Sequence, residues 1–416
     1  MRAFVSLLLA SLLVSASPAD PPWAEALAAS LDEAIPRQLE RGDIPGAVIL
    51  VGHLEDGEWQ TFARTYGDLQ RLPEPRSMVE DAVFDLASMT KPIATGTSMM
   101  ILVDRGLIDV DEAVATYLSD YDTDEKRDVK VRDLMTHCSG LPSYLGPASR
   151  EQAISGQGYP AADPLQDYIL HTALRHGPPR TVSVYSCLNA ITCAEMVERV
   201  SGQPLDEFAR ENIFEPLGMH DTAFSPGPGP RVVPTTKTER DPDHFLVGMV
   251  HDPLANIQGG VSGNAGLFST AQDISIFAQM MLQEGERDGV RILSEASVAR
   301  MTSNQMPEGV TTTGGGEIHR GLLWQVSEPT PGDVGIETIP SYGHTGYTGT
   351  AIKLWPSENM YVIALTNRVH PDDTARVTGL RHAAWVTAGE AVLGVDESVM
   401  VLKDAGPMLR HAQSGG

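Results

Sequence analysis

Strand-forming runs stand at the two ends of this chain and almost nowhere between them. Near the start, "GAVILVGHLE" and "EWQTFARTYG" flank Asp56-Gly57, a pair suited to the positive φ angles of a tight hairpin turn. Near the end come "GLLWQV", "YTGTAIKLWP" and "MYVIALTN", with Ser357-Glu358-Asn359 supplying a turn before the last. From about residue 88 to 225 the texture is helical: "MMILVDRGL", "VRDLMTH", "QDYILHTALRH" and "AEMVERVSG" are short amphipathic pieces punctuated by Gly and Pro, and none reads as a strand. This order predicts an α/β (α+β) fold, one antiparallel sheet assembled from both chain ends and flanked by helices, with a mostly helical subdomain inserted into its middle. The expected division is a sheet domain over 20–95 and 235–405, a helical subdomain over 96–234, and a flexible tail over 406–416.

Helices are expected at both ends of the sheet domain. "WAEALAASLDEAI" places Trp23, Leu27, Leu31 and Ile35 at four-residue spacing, one apolar stripe, with Pro36 expected to end or kink the helix. "GLRHAAWVTAGEAVL" reads as the closing helix, "TTTGGGE" at 311–317 as a mobile loop, and Thr270 with Asp273 as a capping box.

Thirty basic against 55 acidic side chains leave a formal charge of −25, which repels phosphate backbones and excludes nucleic acid as a partner. The 42% hydrophobic content supplies a real core. "MRAFVSLLLASLLVSA" has an early arginine, an apolar stretch and small residues at the end, the pattern of an export signal over residues 1–16 with cleavage near 16 to 19. Its apolar stretch falls short of the roughly 20 residues that span a bilayer, so no stable membrane insertion is expected after removal. The mature chain is expected to be periplasmic or secreted. Three cysteines, Cys138, Cys187 and Cys193, are too few for a disulfide scaffold, and no CxxC or HExxH pattern supports a metal.

The chemistry centres on "DLASMTKPIATG" at residues 85–96, where Ser88 precedes Lys91 by one helical turn inside an apolar run. A serine hydroxyl is a poor nucleophile until a neighbour manages its proton, and an amine serves as base only where desolvation or positive charge lowers its pKa. Tyr185 in "VYSCLNA" precedes a helix beginning near Leu188, and beside a cation a phenol can pass a proton. In "YGHTGYTGTAIKLWP", His344-Thr345-Gly346 is read as opening a strand, with the glycine letting a substrate backbone lie along its edge. The stretch around Ser262 fails the nucleophile-elbow pattern because Asn264 stands at its fifth position.

Ser-x-x-Lys, Tyr-Ser-x and His-Thr-Gly in this order resemble the serine penicillin-recognising enzymes, in the branch holding class C β-lactamases, serine D-Ala-D-Ala carboxypeptidases and family VIII carboxylesterases. "IPGAVILV", "DLMTHCSGLP", "NIFEPLGMHDTAF" and "GGVSGNAGLFSTAQDI" are similar to the same family, so the resemblance runs from about residue 30 to 390. It implies Ser88 as the acylated nucleophile, Lys91 as its proton acceptor or electrostatic support, and Tyr185 as the shuttle that also activates water. His344 and Thr345 would line the substrate strand, and the amides of Ser88 and Tyr347 would form the oxyanion hole, where a donor is worth roughly 3 to 4 kcal/mol of barrier.

The chain departs from that pattern at informative places. His344 stands where β-lactamases of this branch usually have lysine, which argues against efficient β-lactam hydrolysis. Cys187 replaces the usual Asn or Asp, which tilts the reading from peptides toward esters, with Asn189 a candidate to compensate. The resemblance also brings Cys138 near Cys187, a conceivable bridge, and places Arg368 and Arg376 where relatives hold a cation for a substrate carboxylate. At least one of those arginines is expected to pair instead with Asp372 or Asp373. The expectation is therefore an exported serine hydrolase, needing no cofactor, that forms an acyl-enzyme with small esters or D-Ala-type amides. The alternatives are a D-Ala-D-Ala carboxypeptidase or weak β-lactamase and, from another class, a wall-peptide-binding protein with little turnover. The substrate in each case is a small ester, peptide or β-lactam; the sequence does not decide the oligomeric state.

Overall fold

The computed structural model describes residues 20–154, 164–237 and 242–396. The expected export signal and terminal tail lie outside them.

Helix α1 (Ala24–Gly42) leads into the hairpin β1 (Gly46–Glu55) and β2 (Glu58–Gln70), whose edge carries the short β3 (Arg76–Ser77). Glu55 faces Glu58 across a two-residue turn with Asp56 at φ 52° and Gly57 at φ 83°, the left-handed pair that the hairpin requires. Helices α2 (Thr97–Asp104), α3 (Cys187–Ser201) and α4 (Ala271–Leu282) follow. The other strands of the main sheet are β4 (Gln325–Ser327), β5 (Ser341–Thr345), β6 (Ala351–Trp355) and β7 (Met360–Thr366), before helix α5 (Thr378–Ala388). Together they form one seven-stranded sheet in the order β4-β5-β6-β7-β1-β2-β3, with antiparallel pairing.

The central strand joins the chain ends: Ala47 pairs with Thr366 and Val51 with Val362. Being covered on both faces, β1 reads as a continuous apolar run. Ala47, Ile49 and Val51 pack with Leu27, Leu31, Ile35, Leu380 and Trp385 of the terminal helices. Val48 and Leu50 turn the other way, into a core shared with Ile274 and Phe277 of α4 and the helical block. Among the described residues no helix is long and apolar enough to cross a membrane.

Several expectations are corrected. Helix α1 runs through Pro36 to Gly42, because Leu27, Leu31, Ile35 and Leu39 are all buried against the sheet and that packing outweighs the ~3 kcal/mol a mid-helix proline costs. His344 and Thr345 end strand β5 and do not open one. "GLLWQV" is strand only from Gln325, since Leu323 sits at φ 62°, incompatible with a ladder. Among its described residues the helical block holds two short strands, Val182–Ser183 and Ala223–Phe224. The first of these pairs with Thr311–Thr312, so the 311–317 segment is partly tied down. Thr270 caps α4 as expected, but the Asp273 carboxylate accepts from the Asp221 amide and the Thr222 hydroxyl, leaving the box half made.

Candidate active site

Ser88 sits in a tight turn, Ala87–Met89, entered through Ala87 at φ 47°, an unfavourable region for a residue with a Cβ. Its surroundings hold that turn closed. The buried Asp85 carboxylate accepts from the Ala87 amide at 2.8 Å and the His251 amide at 2.7 Å, and the Thr90 hydroxyl donates to the Ala87 carbonyl at 2.7 Å. Burial pushes Asp85 up to about 6, against the pull of those two amides.

After Thr90 the backbone continues as a wide π-type turn over Lys91–Gly96 into α2, which keeps Ser88 and Lys91 on one side. Lys91 is fully buried, and its Nζ donates to Ser88 Oγ at 2.9 Å and to the Asn264 carbonyl at 2.9 Å. Burial favours loss of its proton, but the Cys187 thiol and Tyr185 phenol beside it pull the other way, and the amine stands above its ordinary value. That direction favours the charged ammonium over the free amine. Lys91 is a cation beneath the serine.

The tyrosine loop reaches this pair from the helical block. Ser186 caps α3 by accepting from the Leu188 amide, donates its hydroxyl to the Pro142 carbonyl at 2.6 Å, and gives its own amide to His137 Nδ1 at 3.2 Å. Lys91 Nζ lies 5.1 Å from the centroid of the Tyr185 ring, and the rings of His137 and His344 lie 4.6 and 6.1 Å from it. Burial, reinforced by the Arg320 and Lys91 cations, holds His137 well below its ordinary value, so the imidazole is neutral and accepts at Nδ1.

The third wall is the end of β5. His344 is buried, with Nδ1 bonded to the Thr345 carbonyl at 2.9 Å; burial and then the Lys91 cation depress it to about 3. It is neutral at any physiological pH. A Cβ on Gly346 would stand 2.1 Å from Thr350 Oγ1 and 2.4 Å from the Leu86 carbonyl. Gly346 thus admits the protein's own serine segment. Thr348 and Thr350 clasp that segment by donating to the Asp85 and Leu86 carbonyls at 2.7 and 3.0 Å. The Ser88 and Tyr347 amides donate to no acceptor among the described residues.

The structure thus gathers Ser88, Lys91, Tyr185, His344 and Cys187 about one point, with the Gly346–Tyr347 turn alongside. Ser88, Tyr185, Cys187 and Thr345 are half-buried and keep an accessible face. Asn189 does not compensate for Cys187: its amide is spent on Ser139 Oγ at 2.6 Å and His137 Nδ1 at 3.2 Å. The conceivable bridge is absent; all three cysteines are free thiols, and Cys138 Sγ meets the Thr136 carbonyl and Met306 Sδ instead. Arg368 is paired with Asp373 at 2.8 Å and donates to the Tyr347 carbonyl at 2.6 Å, and so braces the turn. The Arg376 amide bonds the Gly42 carbonyl, beside helix α1.

Sequence reasoning missed Asp85, Asn264, His137 and Arg320. Asp85 and Asn264 lie within quoted motif stretches, and His137 within "DLMTHCSGLP"; Arg320 lies in no motif and carried no signal.

A family model described as Beta-lactamase matches residues 31–384. A "Putative D-alanyl-D-alanine carboxypeptidase" of Salmonella agona (strain SL483) is 30% identical over 367 residues, 82% of each chain. Two solved structures are similar in fold: a class C beta lactamase from Rhodobacter sphaeroides, with TM-score 0.64, 20% identity and coverage of 89% of this chain and 99% of that one; and a D-amino acid amidase from Ochrobactrum anthropi SV3, complexed with L-phenylalanine amide, with TM-score 0.66, 20% identity and coverage of 90% and 99%.

Proposed function

The chain belongs to the beta-lactamase family and is a serine hydrolase, and from that premise we propose that it forms an acyl-enzyme at Ser88 with D-Ala-type amides or small esters. The observation that carries this reading is the 2.9 Å contact between the buried Lys91 ammonium and Ser88 Oγ. A charged Lys91 cannot take the serine proton. It orients Oγ and stabilises the developing alkoxide, while the proton passes to the Tyr185 oxygen as the phenol gives its own to the leaving amine or alcohol. The carbonyl oxygen would be received by the Ser88 and Tyr347 amides. Water then enters where the leaving group departed and attacks the acyl carbon, its proton passing to the Tyr185 oxygen as the phenol gives its own to Ser88 Oγ, and the ester bond to Ser88 breaks.

The name of the 30%-identical relative supports a D-Ala-D-Ala peptide as substrate. Cys187 supports the ester reading, because a thiol at the Lys91 side of the cleft cannot offer the paired donor and acceptor with which an amide would be read. The neutral His344 argues for weak β-lactam turnover. Export through the N-terminal sixteen residues, a periplasmic or secreted location, and the division into a sheet domain (20–95 and 235–405) and a helical subdomain (96–234) belong to the same proposal.

The test is hydrolysis of p-nitrophenyl acetate and butyrate, a chromogenic cephalosporin and a D-Ala-D-Ala peptide by wild type and Ser88→Ala side by side. At least one substrate is expected to turn over, with the variant slower by roughly 10³-fold or more. The preferred substrate then decides peptidase against esterase or lactamase. Equal rates for the two proteins would remove the mechanism and return the binding-protein reading.

A further inference from the structure

The segment that gives Lys91 its carbonyl acceptor also helps to wall a cavity of about 100 Å³. One face of α3 forms another wall, with Ile191, Ala194, Glu195 and Glu198 at the three- and four-residue spacing of a single helix stripe. The two walls meet tightly, since a Cβ on Gly263 would stand 2.0 Å from the Ala190 carbonyl oxygen. Ser88, Lys91, Tyr185 and His344 take no part in the lining. Asn264 bridges the two places: its carbonyl accepts from Lys91, and its Oδ1 lies 2.8 Å from Ser262 Oγ.

Donors are scarce in this cavity. Ser262 Oγ lies 2.7 Å from Gln258 Oε1 and 2.8 Å from Asn264 Oδ1, and its one proton serves only one of them. Gln258 Nε2 is spent on Gln166 Oε1 at 2.8 Å. Turning the Asn264 amide over, so that its otherwise unpartnered nitrogen donates to Ser262, settles that pair but leaves Glu195 unmet. Glu195 is 9% exposed and binds Arg199 through Oε1, while its Oε2 accepts from no group among the described residues. Glu198 adds a second carboxylate, whose Oε1 takes the Leu205 amide. Among the described residues no lysine, arginine or histidine lines the cavity, so two carboxylates face one guanidinium, Arg199, whose side chain is 55% exposed. A buried carboxylate oxygen without a partner is costly unless an occupant supplies the donor.

The occupant that fits brings N–H donors, positive charge and little bulk. Ile191, Leu205 and Val261 share the lining and suit a short hydrocarbon, which a bare metal ion would leave uncovered. The volume is about three times the ~30 Å³ share of one liquid water, room for an amine of about two or three carbons.

We propose that this cavity is a binding site for a small primary alkylammonium ion, which donates to Glu195 Oε2 and to the oxygens of Gln258 and Ser262. The site stands whether or not Ser88 is the acylated nucleophile.

Calorimetry at constant ionic strength tests it with ethylammonium, tetramethylammonium and calcium chlorides on wild type, Glu195→Gln and Arg199→Gln. Ethylammonium is expected to bind wild type at least tenfold tighter than tetramethylammonium, which carries the charge without N–H donors, and tighter than calcium. Glu195→Gln should weaken ethylammonium about tenfold, and Arg199→Gln, which releases the other carboxylate oxygen, should tighten it about threefold. Because neither residue lies at the serine site, amine bound there does not respond to these variants. Absence of ethylammonium binding overturns the proposal, as does tetramethylammonium or calcium binding as tightly. Either variant failing to shift the affinity in its stated direction overturns it equally, and should one not fold, the other decides.

Discussion

The face of the sheet covered by α1 and α5 and the face turned toward the serine are built from alternate residues of the same strands. The first buries Ala47, Ile49 and Val51 against leucines, isoleucines and tryptophans of the terminal helices. On the second side the apolar core gives way to a buried polar seam of Asp85, Lys91, Asn264 and His344. Each seam residue meets a specific partner, and the turn holding Ser88 adds a left-handed Ala87. One face therefore supplies stability, and the other uses some of it to keep charged and strained groups in place.

Three changes sharpen or break this contrast. The largest effect is expected for Lys91→Met. With the cation under Ser88 removed, kcat/KM should fall about 10³-fold, roughly 4 kcal/mol, while Tm is unchanged or higher because a buried charge has been replaced by an apolar chain. A substantial loss of Tm would mean that Lys91 stabilises the fold, and the contrast would fail. Leu31→Ala on the opposite face should do the reverse. Denaturant titration is expected to show about 3 kcal/mol less stability, with kcat per folded molecule within twofold.

The smallest effect concerns pH. Asp85 ionises near 6 in the folded chain, above its ordinary 3.8, so the folded state holds the proton more tightly than the unfolded one. Its contribution to stability is present at pH 3 to 4 and is lost as pH rises to about 6, whereas the carboxylate that best accepts from Ala87 and His251 exists only above about 6. The kcat/KM profile should therefore show an acid limb near pH 6, about tenfold per unit below it, that disappears in Asp85→Asn. His344, at about 3, should add no limb between pH 5 and 8, so a limb removed by His344→Gln would contradict the geometry.

What was legible in the sequence was local. The Ser88–Lys91 spacing, the Asp56-Gly57 turn and the four-residue stripe of α1 all follow from periods of one turn or less, and the ends-and-middle order of strands and helices foretold the sheet. What was illegible depends on partners far away in sequence. The purpose of Gly346 lies in Leu86 and the fate of the Asn189 amide in Ser139 and His137, and no window of residues contains either pair. Pro36 misled because its local penalty is smaller than the burial of the stripe around it, and Arg320 was invisible because it meets Tyr185 only in the fold.

The pairing of Ala47 with Thr366 also sets a clock. The two residues are 366 − 47 = 319 positions apart, and at ~5–20 residues per second of synthesis the central strand waits roughly 15–65 s for its second neighbour to be made. Until then the first hairpin has only its own ladder, the short β3 and helix α1 beside it, and the sheet cannot close. A chain that stays open until its last strand emerges remains threadable through a narrow translocation channel, whereas one whose sheet closed within its first hundred residues would arrive there already folded.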